Sequence, residues 1–373
     1  MAAHAFLAPS SAGSWGPGGC PAYPRMASAY PERGENLAAL EGEAAHHWLT
    51  ETIRGRPCSV GSAAPNGQVI TDEMVECGQE MLADMRELIG KPGVEWAVEQ
   101  VVHMPLIHAE NWGRADFIAI DRSERVLYAW DYKFGHGYVD VFENWQLFDY
   151  AVGALNLWGP TGFVEAARVD TRIYQPRSFR ADGPVKRQEY TWAQFVPLIN
   201  NLRAAAHEAM KPDAPMVPGG QCTYCPARHA CPALRATAGN AADVSLRGVP
   251  SELSSGDAGW MLRQVRAARE RLEDLETGLE AQVLAAVRAG DMSTGWEVYQ
   301  GYGRERWTVP ADEVIALGAL MGVDVTKPAD VITPAQARKA GLDAAVISGY
   351  AEKPKGELKL RPLDGRAVRR AFG

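Results

Sequence analysis

The sequence predicts an α/β fold in which a mixed central sheet is flanked by helices and followed by a mostly helical C-terminal extension. Strand-like segments at 96–104, 115–120, 126–134 and 167–175 occur between segments of helical periodicity. The 373 residues are 46% hydrophobic and 23% charged, which is typical of a globular chain that buries a core. The order helix, strands, helix, strand favours sheet and helices packed in layers.

The first half of the chain supplies three of the four strands. Residues 1–35 are rich in Gly, Pro, Ser and Ala, and we expect a loop there. Apolar residues at helical spacing then predict helices over 37–53 and 71–89. After these helices come the three strands, and the polar segment at 121–124 is expected to form the turn of a hairpin between the second and the third.

The second half contains a predicted helix at 143–157, the fourth strand, which ends before Pro176, and a helix at 191–210. The composition changes after residue 234. We therefore expect a core domain over 1–234, a linker over 235–257 and an extension over 258–373. The extension begins with a charged amphipathic helix that could fold back on its own chain, form a coiled-coil arm or mediate oligomerisation.

The residues that indicate a catalytic site lie at the predicted hairpin. Asp131 and Lys133 are two residues apart on a strand, so their side chains project from the same face, whereas Tyr132 points away. If the hairpin pairs as predicted, Asp116 on the neighbouring strand approaches Asp131. Asp-x-Lys pairs also occur on strands without any catalytic role, and a lone pair would be weak support for chemistry.

Two crowded carboxylates are costly unless a positive charge lies between them. A hard cation such as Mg²⁺ prefers oxygen ligands of this kind. Such a metal ion can polarise a phosphodiester oxygen and activate a bound water, while Lys133 orients that water or offsets charge on the phosphate. Metal-dependent hydrolysis of a phosphodiester suits this combination best.

Four short motifs follow one another along the chain: GEAAH at 42–46, GRAD at 113–116, DYK at 131–133 and QLFDY at 146–150. This ordered set resembles the PD-(D/E)xK nuclease superfamily and, within it, the RecB-like branch with its pattern G-x-x-x-H, G-x-x-D, D-x-K and Q-x-x-x-Y. The resemblance covers roughly residues 8–234 and implies a restriction-endonuclease-like sheet. The DYKFG run and the QPR segment at 175–177 are similar to an uncharacterised family of phage-encoded nucleases.

The resemblance implies a role for each matching residue. His46, Asp116 and Asp131 are expected to bind Mg²⁺ or Mn²⁺, and Lys133 is expected to be the catalytic lysine. Taken alone, His46 would more often be a surface or helix-cap histidine than a metal ligand.

Further members of the implied site lie on the next helix and beyond the fourth strand. Gln146 and Tyr150, one helical turn apart, are expected to face the site, act in catalysis and contact DNA, although a packed core helix would explain them equally well. Arg177 is expected to contact DNA. It begins a basic segment at 177–187, and a second basic segment lies at 353–370. Either segment could be merely a solvated face.

Three cysteines, Cys222, Cys225 and Cys231, lie within ten residues and present soft ligands to one centre. Iron–sulfur members of the RecB-like branch have a similar arrangement with one upstream cysteine, which here corresponds to Cys20. The resemblance therefore implies a [4Fe–4S] cluster that joins the two ends of the core domain. The alternative is Zn²⁺, held by four cysteines or by three cysteines and His229.

The function we expect is that of a Mg²⁺- or Mn²⁺-dependent deoxyribonuclease, an exonuclease in phage DNA recombination or processing. Its partners would be DNA and a phage recombination protein. The alternative is a non-catalytic module that binds DNA or recruits a partner on a nuclease scaffold. The net charge of −8 argues against a DNA-coating protein but not against a nuclease.

The expected location is the cytoplasm of a bacterial host. No segment is long and apolar enough for a membrane helix, and the N-terminus lacks the features of a secretory signal. We expect the other two cysteines, Cys58 and Cys77, to be ordinary buried or free thiols.

Overall fold

A computed structural model describes residues 5–30, 37–159, 168–178, 183–237, 239 and 254–296. Its centre is a five-stranded sheet in the order β1-β2-β3-β4-β5. The strands are β1 (Val94–His103), β2 (Trp112–Asp121), β3 (Val126–Tyr132), β4 (Arg168–Tyr174) and β5 (Val185–Thr191). Because β3 and β4 are parallel and the other neighbours are antiparallel, the sheet is mixed, and the predicted α/β fold class is confirmed.

Besides a short helical segment at 232–237, the described ranges contain seven α-helices. They are α1 (Ala12–Trp15), α2 (Tyr23–Ala29), α3 (Leu37–Ile53), α4 (Asp72–Ile89), α5 (Trp145–Trp158), α6 (Trp192–Ala209) and α7 (Ser255–Arg288). The side chains of Thr71 and Thr191 cap the first turns of α4 and α6, which fixes where these two helices begin. The predicted helices over 37–53, 71–89, 143–157 and 191–210 are therefore confirmed to within two residues at each end.

The sheet separates two apolar cores. Side chains of β2 alternate between them: Ile118 and Ile120 pack on the side of α5 and α6, whereas Phe117 and Ala119 pack on the side of α3 and α4. On the first side α5 approaches β1 closely, because a Cβ atom on Gly153 would lie 2.6 Å from the side chain of Val102. The helices α3 and α5 thus bring their polar residues to the sheet from opposite faces.

The N-terminal segment is not the irregular loop that its composition predicted. A 3₁₀ helix at Pro9–Ser11 and the helices α1 and α2 form there, and Pro9 and Pro24 occupy first-turn positions, where a missing N–H costs nothing. Leu7 and Trp15 are fully buried in the core beside α5. The segment is ordered by tertiary packing rather than by local propensity.

The strand β5 was not predicted, because residues 177–187 were interpreted as a basic segment. Lys186 within it is buried, and its Nζ donates hydrogen bonds to Gln175 Oε1 at 2.7 Å and to the carbonyl oxygen of Val139 at 2.8 Å. Its ammonium group therefore stabilises the fold at the end of β4 and is not a surface charge for nucleic acid.

The chain separates by its contacts into Met1–Trp296 and Glu297–Gly373, and the second unit lies wholly outside the described residues. The same holds for most of the predicted linker and for the basic segment at 353–370. The predicted long helix is present as α7. No helix among the described residues combines the length and the apolar character needed to cross a membrane.

Candidate active site and cysteine cluster

A compact polar network occupies the C-terminal end of β3. Asp131 is 1% exposed, and its Oδ1 accepts hydrogen bonds from Lys133 Nζ at 3.2 Å and from Gln146 Nε2 at 2.7 Å. Lys133 Nζ lies 3.0 Å from the other carboxylate oxygen, Oδ2, and donates a hydrogen bond to Gln146 Oε1 at 3.1 Å. The carboxylate, the ammonium group and the amide therefore fix one another's positions.

Asp131 Oδ2 has an unusual environment. It is buried and accepts no hydrogen bond from the part of the chain that is described, although the Lys133 ammonium group is near. A buried carboxylate oxygen without a hydrogen bond is costly, and a bound cation is one way to stabilise it.

The helix α5 delivers Gln146 and Tyr150 to this network. Asn144 caps the helix by accepting a hydrogen bond from the backbone N–H of Leu147 at 3.2 Å, which places Gln146 in the first turn. Gln146 Nε2 lies 3.4 Å from the hydroxyl oxygen of Tyr150, and burial raises the pKa of Tyr150 well above its usual range. Tyr150 therefore stands behind Gln146 as a neutral, buried phenol.

A second group of side chains converges from α3, β1 and β2. His46 Nδ1 lies 3.5 Å from Glu99 Oε1 and 3.5 Å from Asp116 Oδ1. Asp116 Oδ2 accepts a hydrogen bond from the backbone N–H of Tyr132 at 2.8 Å, which ties this group to β3 beside Asp131. Within the described ranges, these three residues form the group of potential metal ligands whose atoms all lie within 4.8 Å of one another.

The two groups interact through their charges. Burial opposes the charge on His46, but Asp116, Glu99 and Asp131 outweigh it and raise the pKa of His46 to about 9. Burial raises the pKa of Asp116 to about 7; the charge of His46 opposes this rise, and those of Asp131 and Glu99 add to it. For Lys133, burial is likewise outweighed by Asp131 and Asp116, so its pKa is raised. When all three are ionised, the carboxylates of Glu99, Asp116 and Asp131 thus outnumber the site's two cationic side chains, His46 and Lys133.

Glu99 is the site residue that the sequence did not reveal. Val98 pairs with Phe117 and Gln100 with Ala115, so Glu99 lies across from Asp116 in the β1–β2 pair. Its φ of +48° belongs to the left-handed region, which costs a non-glycine residue about 1–3 kcal/mol. A carboxylate on a strained strand residue, opposite another carboxylate, is the type of feature that collects at functional sites.

Arg177 lies near the same end of the sheet but is already engaged. Its guanidinium pairs with Glu73 at 2.8 Å and with Glu41 at 3.2 Å, and it stacks 3.9 Å from the ring centroid of Phe134. These contacts connect the loop after β4 to α3 and α4. Its expected contact with DNA stays a prediction.

The structure brings the four expected cysteines together. Cys20, Cys222, Cys225 and Cys231 line one cavity with mainly apolar neighbours, among them Tyr23. Cys20 comes from the N-terminal segment and is held there by a hydrogen bond from the backbone N–H of Val217 to its Sγ at 3.4 Å. The other three lie on the segment after α6, so the cavity joins the two ends of the core.

His229 does not belong to the described lining of this cavity; instead its ring packs edge-on against Tyr30 at 5.3 Å. Neither Cys58 nor Cys77 lies in that lining. Cys58 Sγ is 3.7 Å from the Nε2 atom of His47, the neighbour of His46 on α3.

The family model described as a protein of unknown function, DUF2800, matches residues 4–367. The chain therefore belongs to that family, and the match includes both the site at the end of β3 and the four cysteines.

Proposed function

We propose that this member of the DUF2800 family is a Mg²⁺- or Mn²⁺-dependent deoxyribonuclease of the PD-(D/E)xK type. The observation that carries the proposal is the convergence of His46, Glu99 and Asp116 within 4.8 Å of one another, next to the Asp131–Lys133 pair. The ordered motifs that resemble the RecB-like branch support the same function. The site therefore has both a candidate metal-binding group and a cation beside it.

The charge balance of the site fits a divalent cation. When His46 is neutral, the carboxylates of Glu99, Asp116 and Asp131 exceed the one positive charge of Lys133 by two, which one divalent ion would balance. His46, Glu99 and Asp116 would hold the ion, with Asp131, whose buried Oδ2 accepts no hydrogen bond from the described residues, as the further expected ligand. When bound, such an ion polarises a phosphoryl oxygen and lowers the pKa of a bound water.

Of the remaining polar groups of the site, Lys133 would act on the substrate directly, and Gln146 and Tyr150 would hold it in position. Lys133, held by Asp131 and Gln146, presents a fixed ammonium group that can orient a water molecule or offset negative charge on the phosphate. Gln146 is a positioning residue, because its amide is hydrogen-bonded to both Lys133 and Asp131. Tyr150 supports Gln146 from the interior.

We further propose, from the family resemblance, that the substrate is the end of a DNA strand and that the enzyme is an exonuclease in phage DNA recombination or processing, in the cytoplasm of a bacterial host. A phage recombination protein is the proposed partner. The net charge of −8 does not favour neutralisation of many phosphates along a duplex, so action at a strand end fits the charge of the chain.

The four-cysteine cavity is proposed to hold a [4Fe–4S] cluster. The four cysteines line one cavity and offer a complete set of soft ligands, which supports a metal–thiolate group there. The cluster would be structural, since the cavity is separate from the carboxylates. Zinc held by the four cysteines is the alternative.

The nuclease proposal is tested with end-labelled linear and circular DNA, single- and double-stranded, in Mg²⁺ or Mn²⁺. Asp116→Ala, Asp131→Ala and Lys133→Ala are each expected to lower the cleavage rate about 10³-fold or more while circular dichroism stays unchanged. Glu87→Ala, which removes an exposed carboxylate on α4, is the matched control and should cleave normally.

Full activity in all three variants would contradict the assignment. Cleavage of circular DNA as fast as linear DNA would contradict the exonuclease mode alone. A wild-type protein that binds DNA but takes up no Mn²⁺ in calorimetry would favour a non-catalytic module. For the cysteines, a brown anaerobic preparation with equal iron and sulfide is expected, whereas a colourless protein that contains only zinc would exclude the cluster.

A further inference from the structure

The long helix α7 buries a polar stripe. Its buried residues, Arg271, Asp274 and Gly278, recur at helical spacing. A Cβ atom on Gly278 would lie 2.7 Å from Arg228 Cγ, so the helix lies directly on the segment that carries the cysteine cluster. Arg271 Nη1 and Asp274 Oδ2 lie 3.1 Å apart, so their charges offset each other. The contact of α7 with its own chain is therefore made by polar residues and a glycine.

A second stripe of α7 is apolar and exposed. Val265, Leu272 and Leu279 recur every seven residues and are 57%, 49% and 44% exposed, respectively. Half-buried apolar residues between them fill the other core position of a heptad repeat: Met261, Ala268 and Leu275. From 258 to 286 the repeat covers about four heptads, with Gln282 as its one polar core residue. This pattern is typical of a helix that pairs with another helix along most of its length.

The two stripes of α7 face different directions. Successive residues of an α-helix are turned by about 100°, so the centres of the polar stripe and of the exposed apolar stripe are roughly 130° apart around the axis. An amphipathic helix normally covers its apolar stripe. The helix can therefore lie on its own chain through one stripe and receive a second helix on the other.

The charges of α7 are segregated along its length. Residues 258–271 contain four arginines and one glutamate, whereas residues 272–285 contain four acidic residues and no basic one. Without the buried pair of Arg271 and Asp274, the first half keeps three arginines against one glutamate, a net charge of +2, and the second half keeps three glutamates, a net charge of −3. A parallel pair of such helices in register would place like charges side by side, whereas an antiparallel pair places each basic half against an acidic half. The helix is thus complementary to an antiparallel copy of itself.

We propose that α7 forms an antiparallel pair with α7 of a second copy of this chain, so that the protein is a dimer. Such a pair has two-fold symmetry, and each contact away from the axis is made twice. With Leu272 of one copy opposite Leu275 of the other, the core positions of the heptads face each other along the whole repeat. The same alignment brings Arg269 of each copy beside Glu276 of the other.

Arg269 and Glu276 are the residues that would select the direction of pairing. They flank the apolar stripe, at positions where charges set the orientation of a coiled coil. Arg269 is 71% exposed, and its contact with Glu273 on its own helix is long, at 3.6 Å. Glu276 is also exposed. Both side chains can therefore reach the second copy, and the pairing does not depend on whether the chain cleaves DNA.

The first measurement is sedimentation velocity of the full-length protein from submicromolar to high micromolar concentrations. The expected species has twice the 40.5 kDa mass of one chain. Leu272→Glu places a charge at the centre of the pair in both copies and is expected to raise the dissociation constant of the dimer at least about 100-fold. Leu284→Glu is the matched control, because that leucine is 39% exposed on α7 but lies outside the apolar stripe, and it should leave the dimer intact.

Charge exchange tests the direction of pairing. Arg269→Glu and Glu276→Arg each replace two symmetric attractions between the copies by repulsions, and each is expected to raise the dissociation constant about tenfold. The double variant restores opposite charges and should bind itself within about threefold of the wild type. A parallel pair does not bring these two residues together and predicts no such rescue. Because rescue requires a folded helix, it also separates a loss of pairing from a loss of fold.

A wild type that is monomeric at every concentration would overturn the proposal. In that case, a greater loss of stability in urea for Leu272→Glu than for Leu284→Glu would indicate that the chain's own residues cover the apolar stripe, and equal stabilities would indicate a different protein as its partner. A dimer that persists in Leu272→Glu, or one that is insensitive to both charge reversals, would equally refute the antiparallel pairing of α7.

Discussion

The position of His46 between two carboxylates should make metal binding release protons. In the metal-free protein the pKa of His46 is raised to about 9, so the ring carries a proton at pH 8. A metal ion binds only the neutral ring and the ionised carboxylate, so each binding event must displace whatever protons these ligands hold. Binding of Mn²⁺ is therefore expected to be coupled to pH in a window set by His46 and Asp116.

The size of the effect follows from the two pKa values. At pH 8 a group with a pKa of about 9 is about nine-tenths protonated and one with a pKa of about 7 about one-tenth, so about one proton leaves per metal ion. At pH 7 the release rises to about 1.5 protons, because Asp116 is then half protonated. Between pH 7 and 9 the apparent affinity should increase about tenfold per pH unit, and above pH 9 it should level off.

The assay is isothermal titration calorimetry of Mn²⁺ in two buffers with different ionisation enthalpies, at pH 7, 8 and 9. His46→Ala should bind Mn²⁺ more weakly and release fewer protons. His47→Ala is the matched control, because that ring contacts Cys58 and not the carboxylates, and its proton release should equal that of the wild type. An affinity independent of pH between 7 and 9, with heats that do not depend on the buffer, would refute the assignment of His46 as a ligand.

Three further predictions follow from single contacts. Gln146→Leu removes hydrogen bonds to two charged groups. Loss of the equivalent of one such bond from the transition state, about 1.5–3 kcal/mol, should lower kcat about 10- to 150-fold in Mg²⁺, and an unchanged kcat would contradict the positioning role. Arg172→Met leaves the fully buried Asp170 without one of its two arginine partners. The free energy of unfolding in urea should fall by about 3 kcal/mol. A loss under about 1 kcal/mol would show that Arg187 alone is enough to stabilise the Asp170 carboxylate. Burial raises the pKa of Asp149 well above its usual range, so the folded protein keeps a proton that the unfolded chain loses above pH 4. The free energy of unfolding should therefore fall as pH rises, by up to about 1.4 kcal/mol per pH unit. Asp149→Asn should flatten this slope between pH 5 and 7, and an equal slope in both proteins would show that Asp149 is ionised.

The elements that the sequence predicts well are those with strong local signals. Helix α3 has the predicted bounds, and α4 and α6 begin directly after the threonines Thr71 and Thr191, whose hydroxyls accept the orphan N–H groups of the first turn. The hairpin turn at 121–124 also forms where the polar residues indicate it, since β2 ends at Asp121 and β3 begins at Val126. In each case the residues that determine the structure are neighbours in sequence.

The elements that were missed depend on distant partners. Trp15 is buried because α5 and the sheet cover it, and the surrounding glycines and prolines give no local sign of this. Lys186 looks like a surface charge until Gln175 and the carbonyl group of Val139 are placed around its ammonium group. Both cases show tertiary packing overriding composition, which a single sequence does not specify.

The candidate site also contains some residues that local sequence predicts and one that depends on a distant partner. The pairs Asp131 with Lys133 and Gln146 with Tyr150 lie two and four residues apart, so the periods of a strand and a helix predict that each pair shares a face. Glu99 has no such local partner, because an eight-residue connection separates β1 from β2 and the register between the two strands cannot be deduced from it. Once that register is known, Glu99 lies opposite Asp116 and joins His46 and Asp116 in the group of three potential ligands. The proposed metal chemistry therefore depends on strand register as much as on the motifs: a one-residue slip of β1 would turn Glu99 to the opposite face of the sheet while every motif in the sequence stayed intact.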